Sequence, residues 1–493
     1  MNHRDRQMYI AVLIIFLGFG LRVYQLGYDS FWNDEAGQAL AAIQPSVKAM
    51  LAVTRSHAMA MPLDYFVSRI TSQLGVDETV MRFPSVIYGV LTIALYFNLV
   101  KQLLRSDIAL LMTFLLSLSV QHIYYSQEMR FYSALIFFSA LANVFLLKLF
   151  KHSSFRNWMR FVFFTALGAY FHPYVLLVMI NGGIYLCFAG FLEKHNLAKW
   201  RDLLTSVIVS GVFFLPGYLY FGAHQQFSYP LLLWSGLLKG IAQGLTLLSW
   251  PHPGGPNFGV WELLMSVFMV IGILTVSRYP YHKYLLGFLG GAIGQIVMII
   301  LADWMKGYWF ASRQIIHLSP VVLLLVSCGI VSSVEFCAKM LSLRFNINGM
   351  KGIKVSLLLY LFLLGATVLT IMPHIHDCYA FPKGNGEQIV DVLLETYQEN
   401  DLILVIPGYE VRIYCLYATL QSHSNTQIAR QSFRSISWDE LPDVVLQYKD
   451  RNYLIVPSNL TDDQLNFVYG QGYQLLLGSQ MKWGWNRMLF VKE

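Results

Sequence analysis

The sequence predicts an α-helical polytopic membrane protein that carries a small soluble α/β domain at its C-terminal end. Of its 493 residues, 56% are hydrophobic and only 13% are charged, and the mean hydropathy is +0.50. A soluble protein of this length needs more polar residues to cover its core. Apolar runs long enough to cross a bilayer recur as far as residue 373, so most of the chain is predicted to lie in a membrane.

The composition changes after residue 373, where charged residues become denser and apolar segments become short. We therefore predict a transmembrane domain over residues 1–373 and a soluble domain over 374–493. Helix and strand patterns alternate in the second domain, which predicts a small α/β fold. Its helices are expected at 387–398, 410–420, 439–447 and 461–469, and its strands at 402–406, 453–456, 473–479 and 486–491.

About eleven membrane spans are predicted from the apolar runs. The first covers residues 9–26 and follows Arg4 and Arg6. Because no small-residue cleavage site comes after it, we interpret it as a retained span rather than a signal peptide. The others are expected at residues 84–103, 107–123, 131–150, 158–176, 177–192, 203–221, 260–277, 284–302, 315–333 and 355–373.

Lysine and arginine are concentrated in alternate loops, which predicts the orientation of the chain. By the positive-inside rule these loops and the N-terminus are cytoplasmic, and an odd number of spans puts the C-terminal domain outside the cytoplasm. The same placement accounts for the formal net charge of +7 and argues against nucleic-acid binding. The expected location is the bacterial plasma (inner) membrane, in contact with its lipids. The basic loops contain Lys101 and Arg105; Lys148, Lys151, Arg156 and Arg160; Lys194, Lys199 and Arg201; Arg278 and Lys283; and Lys339, Arg344, Lys351 and Lys354.

Two outer loops are long, and the outer face is therefore the predicted functional face. The first, residues 27–83, contains amphipathic stretches at 45–53 and 63–74 that could lie at the membrane interface. The second, residues 222–259, ends in Pro-His-Pro-Gly-Gly-Pro at 251–256. That run cannot be helical, and we interpret it as a lid or hinge.

The five cysteines do not have the spacing of a metal site. Cys187, Cys328 and Cys337 lie in or beside predicted spans, where a thiol behaves as a small apolar group. Cys378 and Cys415 fall in the soluble domain and could form a disulfide outside the cytoplasm, although nothing in their spacing requires one.

An acidic pair, Asp34 and Glu35, follows the first span within the segment Phe-Trp-Asn-Asp-Glu-Ala. Two adjacent carboxylates at the outer end of a span cost desolvation energy unless they meet a cation, a metal or water. A solvated loop with a tryptophan at the membrane interface would give the same pattern. The pair alone therefore leaves a catalytic role and an interfacial role both open.

Two further outer segments combine charges with aromatic residues. One, between the third and fourth spans, contains Glu128, Arg130 and Tyr132. The other contains Tyr308 and, at the start of the tenth span, Arg313. A guanidinium at this position can bind a phosphate through two parallel hydrogen bonds. The simpler alternatives are an aromatic belt with a Glu–Arg pair and an arginine that reaches lipid headgroups.

The histidines His57 and His172 also lie in predicted outer segments, where a lone histidine is more often structural than catalytic. A function is favoured because acids, a guanidinium and aromatic residues are all predicted on one face of the membrane. Carboxylates can hold a divalent cation, and a cation together with an arginine can neutralise a departing phosphate. Another carboxylate can deprotonate an incoming hydroxyl or amine. The combination suits group transfer from a membrane-anchored phosphate donor.

The order of these motifs resembles the C-type (GT-C) glycosyltransferase superfamily, and in particular its protein O-mannosyltransferase and aminoarabinose-transferase branch. That branch has an aromatic-x-Asp-Glu-Ala motif after span one, an Arg-Leu-Pro-Ser-like start to span two and a Tyr-Ser-Gln-Glu-x-Arg-x-Tyr segment. It also has an arginine that opens a late span and is followed by a proline. The matching residues here are 32–36, 82–85, 125–132, and Arg313 with Pro320.

The resemblance implies a membrane glycosyltransferase that moves a sugar, with inversion, from a polyprenyl-phosphate donor to an acceptor on the extracytoplasmic face. It implies Asp34 as general base with Glu35 in support, and a divalent cation, Mg²⁺ or Mn²⁺, held by Glu128 and Asp34. The acceptor is left open as a protein, a lipid or a glycan. The residues expected to bind the phosphate and the rest of the substrate are Arg130, Tyr132, Tyr308, Arg313, His57 and His172.

The sequence departs from that branch at two positions. Relatives carry His-Pro-Pro-Leu in the first outer loop, whereas His57 here is separated from Pro62 by intervening residues. Gln314 stands where relatives often have tyrosine.

Two other classes of protein share a topology with many spans. A transporter or flippase for lipid-linked sugars would also need arginine and acids, but such proteins show internal repeats and polar groups near the bilayer midplane. The sequence shows no repeat, and its polar groups are predicted at one face. A polysaccharide polymerase would have a similar span count and a large outer loop, and the length of its product would distinguish it. A scaffold has no need of clustered acids.

Overall fold

The computed structural model describes residues 3–57, 60–190, 194–222, 237–238, 240–242, 260–308, 310–345, 350–380, 384–398, 401–421, 428, 430–448, 451–479 and 486–492. The predicted lid at 251–256 lies outside these residues. The chain forms two compact units. The helical unit comprises Met1–Tyr24, Arg55–Asp64 and Ser85–Cys378, and the α/β unit comprises Gln25–Thr54, Tyr65–Pro84 and Tyr379–Glu493.

Helices make up most of the described chain. Short 3₁₀ turns at Pro173–Leu177 and Ser312–Leu318 directly precede the helices that begin at Val178 and Ser319. Those up to the end of the last predicted span are α1 (His3–Val23), α2 (Asn33–Ala42), α3 (Val47–Ser56), α4 (Pro62–Thr71), α5 (Glu78–Leu103), α6 (Ser106–Leu118), α7 (Val120–Ser126), α8 (Tyr132–Lys151), α9 (Phe155–Ala169), α10 (Val178–Gly190), α11 (Lys194–Gly217), α12 (Val260–Thr275), α13 (His282–Lys306), α14 (Ser319–Phe345) and α15 (Met350–Ala380). Those of the C-terminal residues are α16 (Gly386–Thr396), α17 (Val411–Leu420), α18 (Leu441–Gln447) and α19 (Asp462–Gly470).

Each of the eleven predicted spans corresponds to a helix, but not all of these helices are long. In the part of the chain that the structure describes, eight helices are long and apolar enough to cross a membrane. A ninth span results if the bent pair α6 and α7 is counted as one. The remaining two predicted spans are α9, with 15 residues, and α12, with 16, which fall short of the usual spanning length.

Helices α6 and α7 meet at an angle of 58°, and a buried arginine covers the break. Arg22, fully buried, donates hydrogen bonds to the carbonyls of Leu116 (3.3 Å) and Ser117 (3.2 Å) at the end of α6. Such carbonyls have no partner within their own helix, so the guanidinium satisfies them where water cannot. Gln127 donates to the carbonyls of Arg22 (3.2 Å) and Tyr24 (2.7 Å), which fixes the turn after α7 against the end of α1.

Helices α12 and α14 approach each other closely through two glycines. A Cβ atom at Gly272 would lie 2.0 Å from the carbonyl oxygen of Leu325, and one at Gly329 would lie 1.8 Å from that of Phe268. Small residues allow such contacts between apolar helices, where dispersion rather than the hydrophobic effect provides the attraction. Larger side chains at either position would force the two helices apart.

The α/β unit contains a five-stranded sheet in the order β2-β1-β3-β5-β4. Strand β1 is parallel to β2 and β3, whereas β5 is antiparallel to β3 and β4. The predicted strands and helices of this domain are all present within a few residues. Strand β2 was not predicted, because three residues with a central arginine give no strand pattern. The strands are β1 (Leu402–Val405), β2 (Phe433–Ser435), β3 (Asn452–Pro457), β4 (Gln474–Leu477) and β5 (Arg487–Lys492).

The division into units differs from the predicted boundary between residues 373 and 374. Parts of the first long loop belong with the C-terminal residues because helix α2 packs directly against helix α17. The amphipathic stretches predicted at 45–53 and 63–74 correspond to helices α3 and α4. The α/β unit therefore contains both the C-terminal sheet and the loop segment that follows the first span.

Candidate active site

Asp34 lies in the first turn of helix α2, in the α/β unit, and its side chain is partly exposed. A carboxylate in the first turn of a helix is stabilised by the unpaired backbone N–H groups there. The rest of α2 is tightly packed, since Ala36, Ala39, Ala41 and Ala42 are all fully buried. Asp34 is thus an accessible acid on a helix that is itself held firmly.

Glu35, next to it, is fully buried and bound to Arg82 by two hydrogen bonds. The Arg82 Nε donates to Glu35 Oε1 (2.9 Å), and its Nη2 donates to Oε2 (2.7 Å). The same guanidinium donates to the carbonyls of Leu26 (3.0 Å), Asp29 (2.9 Å) and Ser30 (3.2 Å). Glu35 Oε2 also accepts the Trp32 N–H (3.3 Å), as the third residue of a capped helix does. Through these contacts Glu35 joins the start of α2 to Arg82, and its predicted catalytic role stays a prediction.

Helix α4 holds the other end of α2. Gln38 Nε2 donates to Ser68 Oγ (2.8 Å), and both side chains are buried. Arg69 Nη1 donates to the carbonyls of Ala42 (3.0 Å) and Gln44 (2.6 Å), which have no helical partner at the C-terminus of α2. These contacts, with those of Glu35, fix both ends of the helix that carries Asp34.

In the two residues before Asp34, two buried polar atoms have no hydrogen-bond partner among the described residues. They are Trp32 Nε1, a donor, and Asn33 Oδ1, an acceptor. A native structure leaves few such atoms, and each costs about 1–3 kcal/mol when it stays unpaired. The segment before Asp34 therefore offers one donor and one acceptor that a bound molecule could satisfy.

The segment with Glu128, Arg130 and Tyr132 forms a buried turn between α7 and α8 in the helical unit. The Arg130 N–H donates to the Glu128 carbonyl (2.8 Å) and closes the turn. The Tyr125 and Tyr132 rings lie 4.6 Å apart. Tyr125 interacts electrostatically with Glu128, Tyr132 and Arg313, so the second and third predicted segments do come together in this unit.

His172 joins the same cluster as a neutral ring. It stacks on Phe131 at a centroid distance of 4.4 Å, and its Nδ1 accepts the Tyr174 N–H (3.4 Å) at the start of the 3₁₀ turn. Burial lowers the pKa of His172 to about 3, with further contributions from His317 and Arg130. At neutral pH the ring carries no charge, so it can contact a substrate but cannot neutralise a phosphate.

Arg313 follows Ala311 and Ser312 in a turn that its neighbour Gln314 organises. Gln314 Oε1 accepts the Ala311 N–H (2.6 Å), and its Nε2 donates to both carboxylate oxygens of Asp303 (2.9 and 3.0 Å) and to the Tyr174 hydroxyl (3.2 Å). Tyr308 reaches this position because Gly307, at φ 65°, ends α13 in the left-handed conformation that glycine tolerates. Asp303 and Gln314 are not among the predicted site residues, because no local sequence pattern indicates their bonds to each other or that of Gln314 to Tyr174.

We expect Gln314→Leu to destabilise the helical unit by about 1–3 kcal/mol, because it leaves the buried Asp303 carboxylate without its amide donor. Thermal unfolding of the purified protein in detergent measures this. Ser342→Ala, which removes an exposed hydroxyl bound only to the Lys339 carbonyl, is a control that should leave the unfolding temperature unchanged. Equal unfolding temperatures for Gln314→Leu and the wild type would contradict the role of Gln314.

A chain of buried amides leads from this turn into the interior of the helical unit. His317 Nε2 contacts Gln295 Oε1 (3.0 Å), and Gln295 Nε2 donates to Asn181 Oδ1 (2.8 Å). Asn181 Nδ2 in turn donates to Asn143 Oδ1 (2.9 Å). Interhelical hydrogen bonds of this kind join α8, α10 and α13 to the segment that carries Arg313. They fix that segment without involving a charge.

The last of the predicted site residues is His57. His57 is partly exposed at the end of α3 in the helical unit, and the two residues after it lie outside the described part of the chain.

Among the described residues, no three His, Cys, Asp or Glu side chains come together as metal ligands. Glu128 belongs to the helical unit and Asp34 to the α/β unit. Cys378 and Cys415 are buried thiols, and neither forms a disulfide in the structure.

This architecture is similar to that of proteins of known structure. A model of the family described as dolichyl-phosphate-mannose-protein mannosyltransferase matches residues 56–220. The fold is similar to that of ArnT from Cupriavidus metallidurans bound to undecaprenyl phosphate, with a TM-score of 0.55, 12% identity and 97% of each chain covered. It is also similar to that of the oligosaccharyltransferase AglB from Archaeoglobus fulgidus in complex with an inhibitory peptide and a dolichol-phosphate. There the TM-score is 0.58 at 12% identity, over 92% of this chain and 70% of that one.

No curated protein matches the chain by sequence. The identities to the solved structures are low, so these similarities establish the fold. The chain has the fold of the C-type glycosyltransferases, which confirms the predicted fold class and the resemblance to that superfamily.

Proposed function

We propose that this protein transfers a sugar from a polyprenyl-phosphate donor to an acceptor on the extracytoplasmic face of the membrane. The observation that carries the proposal is the accessible Asp34 on a rigidly held helix, directly after the first span of a C-type glycosyltransferase fold. The relatives support the class of donor, since ArnT is bound to undecaprenyl phosphate and AglB to a dolichol-phosphate.

The proposed reaction is a single displacement at the anomeric carbon. An acceptor oxygen or nitrogen forms a bond to that carbon while its proton passes to the Asp34 carboxylate. The bond from the carbon to the phosphate oxygen breaks, and its electron pair leaves with the polyprenyl phosphate. Configuration is inverted because the two groups occupy opposite faces. Phosphate is a good leaving group, so the reaction needs no strong general acid.

We assign the departing phosphate to Arg313 and Arg130, which interact electrostatically with Tyr125 and His172, respectively, in the helical unit. A guanidinium group binds phosphate through two parallel hydrogen bonds and stays charged at all relevant pH values. Tyr132, Tyr308, His172 and His57 are proposed to contact the rest of the donor. The predicted topology puts these residues and Asp34 on the same side of the membrane.

A divalent cation, Mg²⁺ or Mn²⁺, is a separate proposal, with Asp34 and Glu128 as the protein ligands to test. A cation supplies charge that helps to neutralise a leaving phosphate. The described residues do not assemble a complete ligand set, so no step of the mechanism depends on it here.

The test uses the full-length protein in vesicles that contain a labelled polyprenyl-phosphate sugar and a membrane extract as acceptor. The expected result is labelled acceptor and a matching amount of free polyprenyl phosphate. Label that crosses the bilayer without ever being transferred would instead identify a flippase, and long labelled chains would identify a polymerase. Mass spectrometry of surface glycans and membrane lipids, with and without the protein, then identifies the acceptor.

A further inference from the structure

The C-terminal domain contacts the segment just before Asp34 at two points, both within the α/β unit. The N–H of Glu387, in the first turn of α16, donates to Ser30 Oγ (3.2 Å). The N–H of Phe31 donates to the hydroxyl oxygen of Tyr417, in α17 (2.6 Å). The Phe31 and Tyr417 rings stack at a centroid distance of 6.3 Å. The chain that leads into α2 is thus bound to residues more than 350 positions away.

Tyr417 also connects this segment to the start of α5. Its hydroxyl donates to the Glu78 carboxylate, and its ring is buried. Burial, with the charge of Glu78, raises the pKa of Tyr417 well above its usual value, so the hydroxyl keeps its proton and remains a donor. One hydroxyl therefore accepts from the Phe31 backbone and donates to Glu78.

Phe31 is the point at which this contact meets the Glu35–Arg82 pair. The Arg82 guanidinium lies over the Phe31 ring, 5.5 Å from its centroid, and also interacts electrostatically with Glu78. Arg82 and Glu78 are one turn apart on α5, and Arg82 binds Glu35 in α2. The segment that sets the direction of the first turn of α2 is thus enclosed by Tyr417, Glu78, Arg82 and Glu35.

We propose that Tyr417 of the C-terminal domain is a positioning residue for sugar transfer, which fixes the segment before α2 and thereby the direction of the Asp34 carboxylate. The proposal rests on the proposed function and gives the C-terminal domain a part in catalysis. Loss of the hydroxyl releases the Phe31 N–H, so that Phe31 loses its hydrogen bond to the C-terminal domain while the contacts of Ser30 with Glu387 and Arg82 remain. Small misplacements of a catalytic group cost large factors in rate, because the near-attack geometry is lost.

The test compares Tyr417→Phe with Tyr414→Phe in the full-length protein. Tyr414 is in the same helix and fully buried, and its hydroxyl has no hydrogen-bond partner within the described part of the chain, so it is a matched control. We expect Tyr417→Phe to lower kcat by about tenfold to a hundredfold with KM for the donor changed by less than about twofold. We expect Tyr414→Phe to leave both unchanged. Equal kcat values for the two variants would overturn the proposal.

Two further measurements separate positioning from general destabilisation. In an Asp34→Asn background, Tyr417→Phe should not lower the residual rate further, because the two residues act in one step. Hydrogen–deuterium exchange should become faster at residues 31–36 in Tyr417→Phe but not in Tyr414→Phe. Unchanged exchange there would overturn the proposal even in a preparation that transfers no sugar. A wild-type protein without any transfer would refute the proposed function, whereas transfer at the wild-type rate by Tyr417→Phe would refute only the role of Tyr417.

Discussion

Asp34→Asn is expected to lower kcat for sugar transfer by about a hundredfold or more while the protein remains folded and inserted. Asparagine has the shape of aspartate but cannot take up a proton at neutral pH, and general-base catalysis contributes about 10²–10⁴-fold to a rate. Asp34 is partly exposed, so the substitution removes little packing. The measurement is kcat for transfer from a labelled polyprenyl-phosphate sugar, with detergent size-exclusion chromatography to confirm folding.

The matched control for this substitution is Asp463→Asn. Asp463 is also an acid in the first turn of a helix, α19, and it is exposed. Its replacement by asparagine therefore removes the same charge interaction with the N-terminus of a helix. We expect it to keep the wild-type rate. If Asp34→Asn retained more than about a tenth of the wild-type kcat, the assignment of Asp34 as the base would be wrong.

Arg82→Met is expected to prevent stable folding of the α/β unit. It leaves the Glu35 carboxylate buried without its cation and removes the donor for the carbonyls of Leu26, Asp29 and Ser30. Breaking one side of a buried ion pair costs about 3–5 kcal/mol, a large part of the stability of most domains. Glu35→Gln should cost less, because Arg82 keeps its carbonyl acceptors. Thermal unfolding and the monodisperse fraction in detergent measure both effects.

The control for this prediction is Arg105→Met. Arg105 forms ion pairs with Asp107 and Glu335, but its side chain is 56% exposed. Exposed pairs contribute at most about 1 kcal/mol, since water solvates the separated charges. A wild-type unfolding temperature for Arg82→Met, or a loss no larger than that of Arg105→Met, would contradict the structural role of the Glu35–Arg82 pair.

The two acids at positions 34 and 35 show how far a local pattern determines a role. The sequence presented them as a pair, and the resemblance made both candidates for catalysis. Their difference depends on Arg82, 47 residues further along the chain, which binds one of them and not the other. No local pattern specifies this partner. Likewise, the sequence marks Gln314 only as a departure from relatives, and its bonds to Asp303 and Tyr174 form only in the folded chain.

The sequence by itself determined that this is a polytopic helical membrane protein with an α/β domain after the last span. Spans are set by length and apolar composition, and helices and strands by short-range periodicity, so both can be derived locally. The tertiary structure alone decided that α2 belongs with the C-terminal domain and that Tyr417 contacts the segment before Asp34. These contacts join residues hundreds of positions apart, and they form because buried polar groups must find partners wherever the fold brings them together.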